Sequence, residues 1–133
     1  MKKVAFIFPG QGSQSLGMGK DFFENSDIAK DMISKASTRL GIDFEKLLFE
    51  ENDNLGKTEF TQPAILLVSS IANAIFKEKC DIKPQFVLGH SLGEFSALVA
   101  AGAIDYLDAI ELVHKRGLFM NEACSGGGAG MMA

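Results

Sequence analysis

Tryptophan is missing from this 133-residue chain, tyrosine occurs once, and there are only three prolines, two cysteines and two histidines. Cys80 and Cys124 stand far apart and outside any C-x-x-C spacing, which argues against a disulfide framework and against a zinc site. No dense block of lysine and arginine is present, and the net charge of −4 also argues against a nucleic-acid surface. Uninterrupted apolar runs such as Ala64–Val68 are far too short to span a bilayer, so no membrane partner is expected. The start, Met1-Lys2-Lys3 and an apolar run, has the outline of a signal peptide. That run stops at Phe8 and meets Pro9-Gly10, so a strand followed by a turn is the better reading, and the cytoplasm is the expected compartment. What is left is ordinary: 47% hydrophobic and 23% charged residues, enough for one α/β domain with a real core.

Glycine, by contrast, is plentiful, and one cluster organises the chain. Phe86-Val87-Leu88 reads as a buried strand, and Gly89-His90-Ser91-Leu92-Gly93 then turns the backbone into a helix-forming run, Glu94 to Ala101. This is the G-x-S-x-G pattern of a nucleophile elbow, in which a strained turn lifts a serine hydroxyl to the carboxyl edge of a parallel sheet. Glycines at 89 and 93 remove the Cβ atoms that would collide there. The helix opening at Leu92 turns unpaired N–H groups toward charge developing at the serine. Ser91 is thus the candidate nucleophile. The alternative is a glycine-rich helix start capped by Ser91.

Taken in order, Val4–Phe8 is an unbroken apolar run, expected as a parallel strand covered on both faces. Pro9-Gly10-Gln11-Gly12-Ser13-Gln14 follows at its carboxyl end. It lacks the lysine of a P-loop and the spacing of a dinucleotide fingerprint. It suits a loop offering backbone N–H groups to an oxyanion, or a plain glycine turn. Ser26 caps a helix running to Leu40 and stopping at Gly41, with Ile28, Met32, Ile33, Ala36 and Leu40 on one face. Asp43–Phe49 predicts a short helix and Glu50–Lys57 a polar connection. Thr61 is expected to cap the next helix, with Pro63 in its first turn and Gln62 either supporting the cap or reaching the active-site loop. The run Ile65 to Phe76 is apolar nearly all round, so this helix is expected at the centre. After a surface link, Lys77–Pro84, and the elbow helix, Gly102 stops one helix and Asp105 caps another reaching Cys124. Ile104, Leu107, Ile110, Leu112, Val113 and Phe119 are its expected buried side. Ser125–Gly130 is a glycine-rich loop, and Met131-Met132-Ala133 opens a further apolar run.

A nucleophilic serine needs a base. His90 adjoins Ser91 on the turn and is expected to point away from it, and His114 lies on a later helix as a solvated or core-edge residue. Neither is a good candidate, so the base is expected outside this chain.

Four motifs occur in this order and spacing: Gly10-Gln11-Gly12-Ser13-Gln14, Thr61-Gln62-Pro63-Ala64, Gly89-His90-Ser91-Leu92-Gly93-Glu94 and Lys115-Arg116-Gly117-Leu118-Phe119-Met120. Together they resemble the amino-terminal part of the malonyl-CoA:acyl carrier protein transacylases, and are similar to the acyltransferase domains of polyketide synthases. The resemblance implies a partial α/β-hydrolase-like three-layer domain with parallel strands. Residues 1–133 would be the amino-terminal portion of the catalytic domain, with the rest of that domain, its catalytic histidine and a ferredoxin-like subdomain outside it. It further implies that Ser91 carries malonyl as an ester, between malonyl-CoA and the phosphopantetheine thiol of acyl carrier protein. The backbone amides of Gln11 and Leu92 would form the oxyanion hole, and Arg116 would grip the free carboxylate through its planar fork. Gln62 would line the site and His90 belong to the motif without being the base. No metal or redox cofactor is implied. Two other readings are a serine esterase or thioesterase of the α/β-hydrolase class, and a non-catalytic acyl-CoA-binding fragment. Without the resemblance, the preferred reading of Arg116 would be a surface ion-pair partner.

Overall fold

The computed structural model describes residues 2–130 and Met132, so Met131 and Ala133, where a further apolar run was expected to open, lie outside the described residues. The elements are β1 (Ala5–Phe8), α1 (Lys20–Asn25), α2 (Asp27–Leu40), α3 (Phe44–Phe49), α4 (Thr58–Lys79), β2 (Phe86–Gly89), α5 (Gly93–Ala100) and α6 (Tyr106–Ala123). The strands pair in parallel, from Ala5 opposite Phe86 to Phe8 opposite Gly89. The loop after β1 and the turn after β2 therefore emerge side by side at one sheet edge, where ligands bind in open α/β folds.

Most helix ends obey their local signals. Ser26 Oγ accepts from the Ala29 amide, and α2 ends on Gly41 at φ 66°, a left-handed value that suits glycine. Asp43 caps α3 and Asp105 caps α6, each accepting an amide of the first turn. The core forms where α2, α3, α4 and α6 meet, around Ile33, Phe44, Leu48, Leu66, Leu67 and Ile110. Met32 packs there as core filling.

Three expectations need correction, and one helix is additional to those expected. Helix α4 begins at Thr58, a turn earlier than Thr61, with no side-chain cap on its first residue. The Thr61 hydroxyl instead donates to the Leu55 carbonyl at 2.6 Å or the Lys57 carbonyl at 2.9 Å, and Pro63 lies inside the helix. Helix α1 was not foreseen, because it starts from Gly19 at φ 82° without a side-chain cap and is held by tertiary packing, Phe23 lying 5.4 Å from the Phe49 ring. The strands are not covered on both faces: Phe8 is buried, while Ile7 and Phe86 are 72% and 65% exposed. Finally, Leu112 and Phe119 face away from the buried side of α6 that Ile110 and Val113 occupy.

Helix α4 is, among the described residues, the one helix long and apolar enough to cross a bilayer. More than half of that stretch is packed inside the fold, as expected of a central core helix.

Candidate active site

The turn from β2 to α5 is built by close approach. A Cβ on Gly89 would lie 1.9 Å from the Gly93 carbonyl carbon, and one on Gly93 would lie 2.2 Å from the Phe8 carbonyl oxygen. The His90 amide donates to that same Phe8 oxygen at 3.1 Å, tying the turn to β1. Ser91 then takes φ 51°, the only positive φ at a non-glycine among the described residues. Such a conformation costs about 1–2 kcal/mol for an L-residue and persists only where the surroundings enforce it. The result is an exposed Ser91 hydroxyl above a fully buried Leu92, whose amide stands at the start of α5 among those without an intrahelical partner.

Arg116 reaches this hydroxyl from α6. Its Nη2 donates to Ser91 Oγ at 3.1 Å and its Nη1 to Gln62 Oε1 at 2.7 Å. The guanidinium carbon sits 5.4 Å from the centre of the Phe95 ring, a cation–π placement that supports the planar group from below. Gln62 is wholly buried, so both ends of its amide need partners. Its Nε2 donates to the Met120 sulfur at 3.0 Å, one turn beyond Arg116. Sequence reasoning placed Gln62 near the site but found neither Met120 as the partner of its amide nor Phe95 as the ring packed on Arg116.

The loop after β1 lies against the elbow. Gly10 packs so tightly there that a Cβ would fall 2.3 Å from the His90 carbonyl oxygen and 3.1 Å from His90 Nδ1. The Ser13 hydroxyl closes the loop on the Gly10 carbonyl at 2.8 Å. Gln11 is anchored through its side chain, Nε2 donating to Thr58 Oγ1 at 3.0 Å. Thr58, the first residue of α4, was not singled out by sequence.

Neither histidine bonds to Ser91 among the described residues. His90 is exposed with its ring beside Gly10, and His114 Nδ1 meets the Glu59 carbonyl at 2.7 Å. Behind Arg116 lies a largely apolar groove of about 460 Å³, lined by Phe95, Leu112, Phe119 and Met120 with Lys115. Among the described residues, no three His, Cys, Asp or Glu side chains gather as a metal site.

The site thus joins a strained serine hydroxyl, a helix start and a doubly held guanidinium. The model of the acyl transferase domain family matches residues 5–133. The malonyl CoA-acyl carrier protein transacylase of Bacillus subtilis (strain 168) is 48% identical over the whole of this chain, which spans 42% of that relative. The enzyme of that name from Staphylococcus aureus (strain COL) is 44% identical, again with 42% of its length spanned. Among solved structures, the malonyl-CoA:acyl carrier protein transacylase of Helicobacter pylori superposes at a TM-score of 0.89 with 49% identity, over 92% of this chain and 40% of that one. A malonyl-transacylase in complex with a type II polyketide-synthase acyl-carrier protein superposes at 0.87 with 43% identity, over 92% of this chain and 40% of that one. The chain therefore spans about two fifths of the length of these relatives, and its mixed α/β fold with parallel strands is theirs. With the match running from β1 through α6 and beyond, the chain belongs to the acyl transferase domain family.

Proposed function

We propose that this chain is the amino-terminal portion of the catalytic domain of a malonyl-CoA:acyl carrier protein S-malonyltransferase, working in fatty-acid synthesis in the cytoplasm. The rest of an α/β-hydrolase-like three-layer domain and a ferredoxin-like subdomain belong to the remainder of such a polypeptide. The observation that carries this reading is the 3.1 Å contact between Arg116 Nη2 and Ser91 Oγ. Malonate is a short diacid: its free carboxyl carbon lies only about 2.5 Å from the thioester carbonyl carbon, two bonds away. A cation that grips that carboxylate during attack must therefore stand within a few ångströms of the nucleophile. A neutral ester offers nothing for such a group to hold, which weighs against a simple esterase.

In the proposed reaction Ser91 Oγ attacks the thioester carbonyl and forms a C–O bond. The C–S bond breaks, and coenzyme A leaves as the thiol with the proton Ser91 gave up. The phosphopantetheine thiol of acyl carrier protein then reverses these steps and takes the malonyl group. The amides of Leu92 and Gln11 receive the oxyanion, a kind of donor whose loss typically costs about 10²–10³ in rate. Arg116 exchanges Ser91 Oγ for the malonyl carboxylate while Gln62 keeps its other arm in place. His90 contributes to the shape of the turn and not to proton transfer. The general base comes from the remainder of the polypeptide, and the chemistry calls for no metal or redox cofactor because a thioester is already activated.

Mass spectrometry after mixing with malonyl-CoA tests this. A malonyl adduct on Ser91, absent from Ser91→Ala and strongly reduced in Arg116→Ala, supports the reading. Acetyl-CoA acylating as readily as malonyl-CoA would overturn it.

A further inference from the structure

Pro63 lies inside α4, so the Glu59 carbonyl, four residues earlier, cannot receive the N–H that a helix would normally supply. A proline ring also presses on that carbonyl and turns it outward. It is this carbonyl that His114 of α6 meets with Nδ1 at 2.7 Å. An acceptor oxygen requires that Nδ1 carry the proton, which sets the neutral ring's tautomer. Beside it, Gly117 lets α6 touch α4 directly: a Cβ there would fall 2.6 Å from the Glu59 Cα and 2.9 Å from the Thr58 oxygen. Asn121, one turn further, bonds the Glu59 carboxylate. The ring of His114 is also packed 6.3 Å from that of Phe60.

We infer that His114 is a positioning residue: it fills the hydrogen bond Pro63 leaves open, and so sets the height of α6 on α4 at which Arg116 meets both Gln62 and Ser91. Arg116 lies between the two contact residues, His114 and Gly117, so any slide or roll of α6 at this crossing moves the guanidinium. Its two hydrogen bonds, 2.7 and 3.1 Å, leave little room for such a shift. The sequence suggested only a solvated or core-edge histidine here. The inference rests on the malonyl-transfer reading for its effect on selectivity, but not for its geometry.

The test is a cycle through Pro63→Ala, which returns an N–H to the Glu59 carbonyl. In His114→Phe the ratio of Ser91 acylation by malonyl-CoA to that by acetyl-CoA is expected to fall about tenfold. His114→Gln, which keeps a donor, and the Pro63→Ala/His114→Phe double variant are expected to recover most of it. An unchanged ratio in His114→Phe, or a fall that Pro63→Ala does not relieve, would overturn the inference. Nitrogen-15 NMR of the unacylated chain reads the geometry independently of turnover. The wild type is expected to show an exchange-protected proton on His114 Nδ1 and resolved Arg116 guanidinium signals. Those Arg116 signals are expected to average in His114→Phe and return in the double variant. Absence of the protected Nδ1 proton sinks the inference, whereas acetyl-CoA acylating the wild-type Ser91 as readily as malonyl-CoA, with these signals intact, sinks only the functional reading.

Discussion

Gly93 and Phe8 touch backbone to backbone, with room for no Cβ between them: one placed on Gly93 would stand 2.2 Å from the Phe8 carbonyl oxygen and 2.9 Å from its carbon. Helix α5 thereby rests directly on strand β1. Gly93→Ala is expected to force the helix off the strand and cost about 3 kcal/mol or more. Gly102→Ala provides the contrast, since its Cβ would meet open space and only its φ of 77° is strained; about 1 kcal/mol is expected there. Thermal unfolding of the two variants side by side checks the difference. Equal losses would mean that the contact is not the cause.

Ser91 should repay its removal. Its φ of 51° is comfortable for glycine and not for serine. Ser91→Gly is expected to raise stability by roughly 1 kcal/mol while abolishing any acyl adduct, whereas Ser91→Ala loses the adduct without that gain. Denaturant titration of both variants separates strain from chemistry.

Gln62→Leu is nearly isosteric and leaves the Nη1 of Arg116 without its 2.7 Å acceptor. Losing a hydrogen bond to a charged group costs about 1.5–3 kcal/mol, so malonyl acylation of Ser91 is expected to slow by roughly 10- to 100-fold. Acylation by acetyl-CoA, which has no carboxylate for Arg116 to hold, is expected to change little. Parallel slowing with both donors would show that Gln62 supports the fold and not the guanidinium.

Tyr106 gives a prediction for alkaline pH. Burial first, and the negative charges of Asp31 and Asp105 next, push its hydroxyl up to about 12. In the unfolded chain a tyrosine releases its proton near pH 10. The folded state therefore holds the proton more tightly, and stability is intact below about pH 10 and declines between about 10 and 12. Tyr106→Phe is expected to lose less over that window. As the only tyrosine in the chain, its own titration can be followed by ultraviolet absorbance. A midpoint near 10 in the folded protein would contradict the assignment.

The elbow was legible because its constraint is local: two glycines around a serine, between a strand run and a helix run, leave few other geometries. Helix caps at Ser26 and Asp105 were legible for the same reason, each being settled within one turn. Arg116 was not legible from the residues around it, since nothing on α6 alone distinguishes a guanidinium turned to a serine from one in a surface ion pair. The family motifs supplied that expectation, and Gln62 on α4 and Phe95 on α5 explain it. The start of α4 was misplaced because Thr61 followed by Pro63 imitates a capped first turn. Its hydroxyl is in fact used on the carbonyls of Leu55 and Lys57. Exposure of Ile7 and Phe86 was hidden from a pattern that sees apolar runs but not what lies over them.

The hydroxyl and the guanidinium are carried on different scaffolds. Ser91 is clamped by β1, β2 and α5 through backbone contacts that admit no extra atom, whereas Arg116 hangs from the crossing of α6 with α4 and is steadied by side chains. Under the proposed reading, nucleophilic power and choice of acyl group are consequently separable traits. The first resists change, while the second can be retuned by exchanging one or two residues at a helix crossing, leaving the reactive turn untouched.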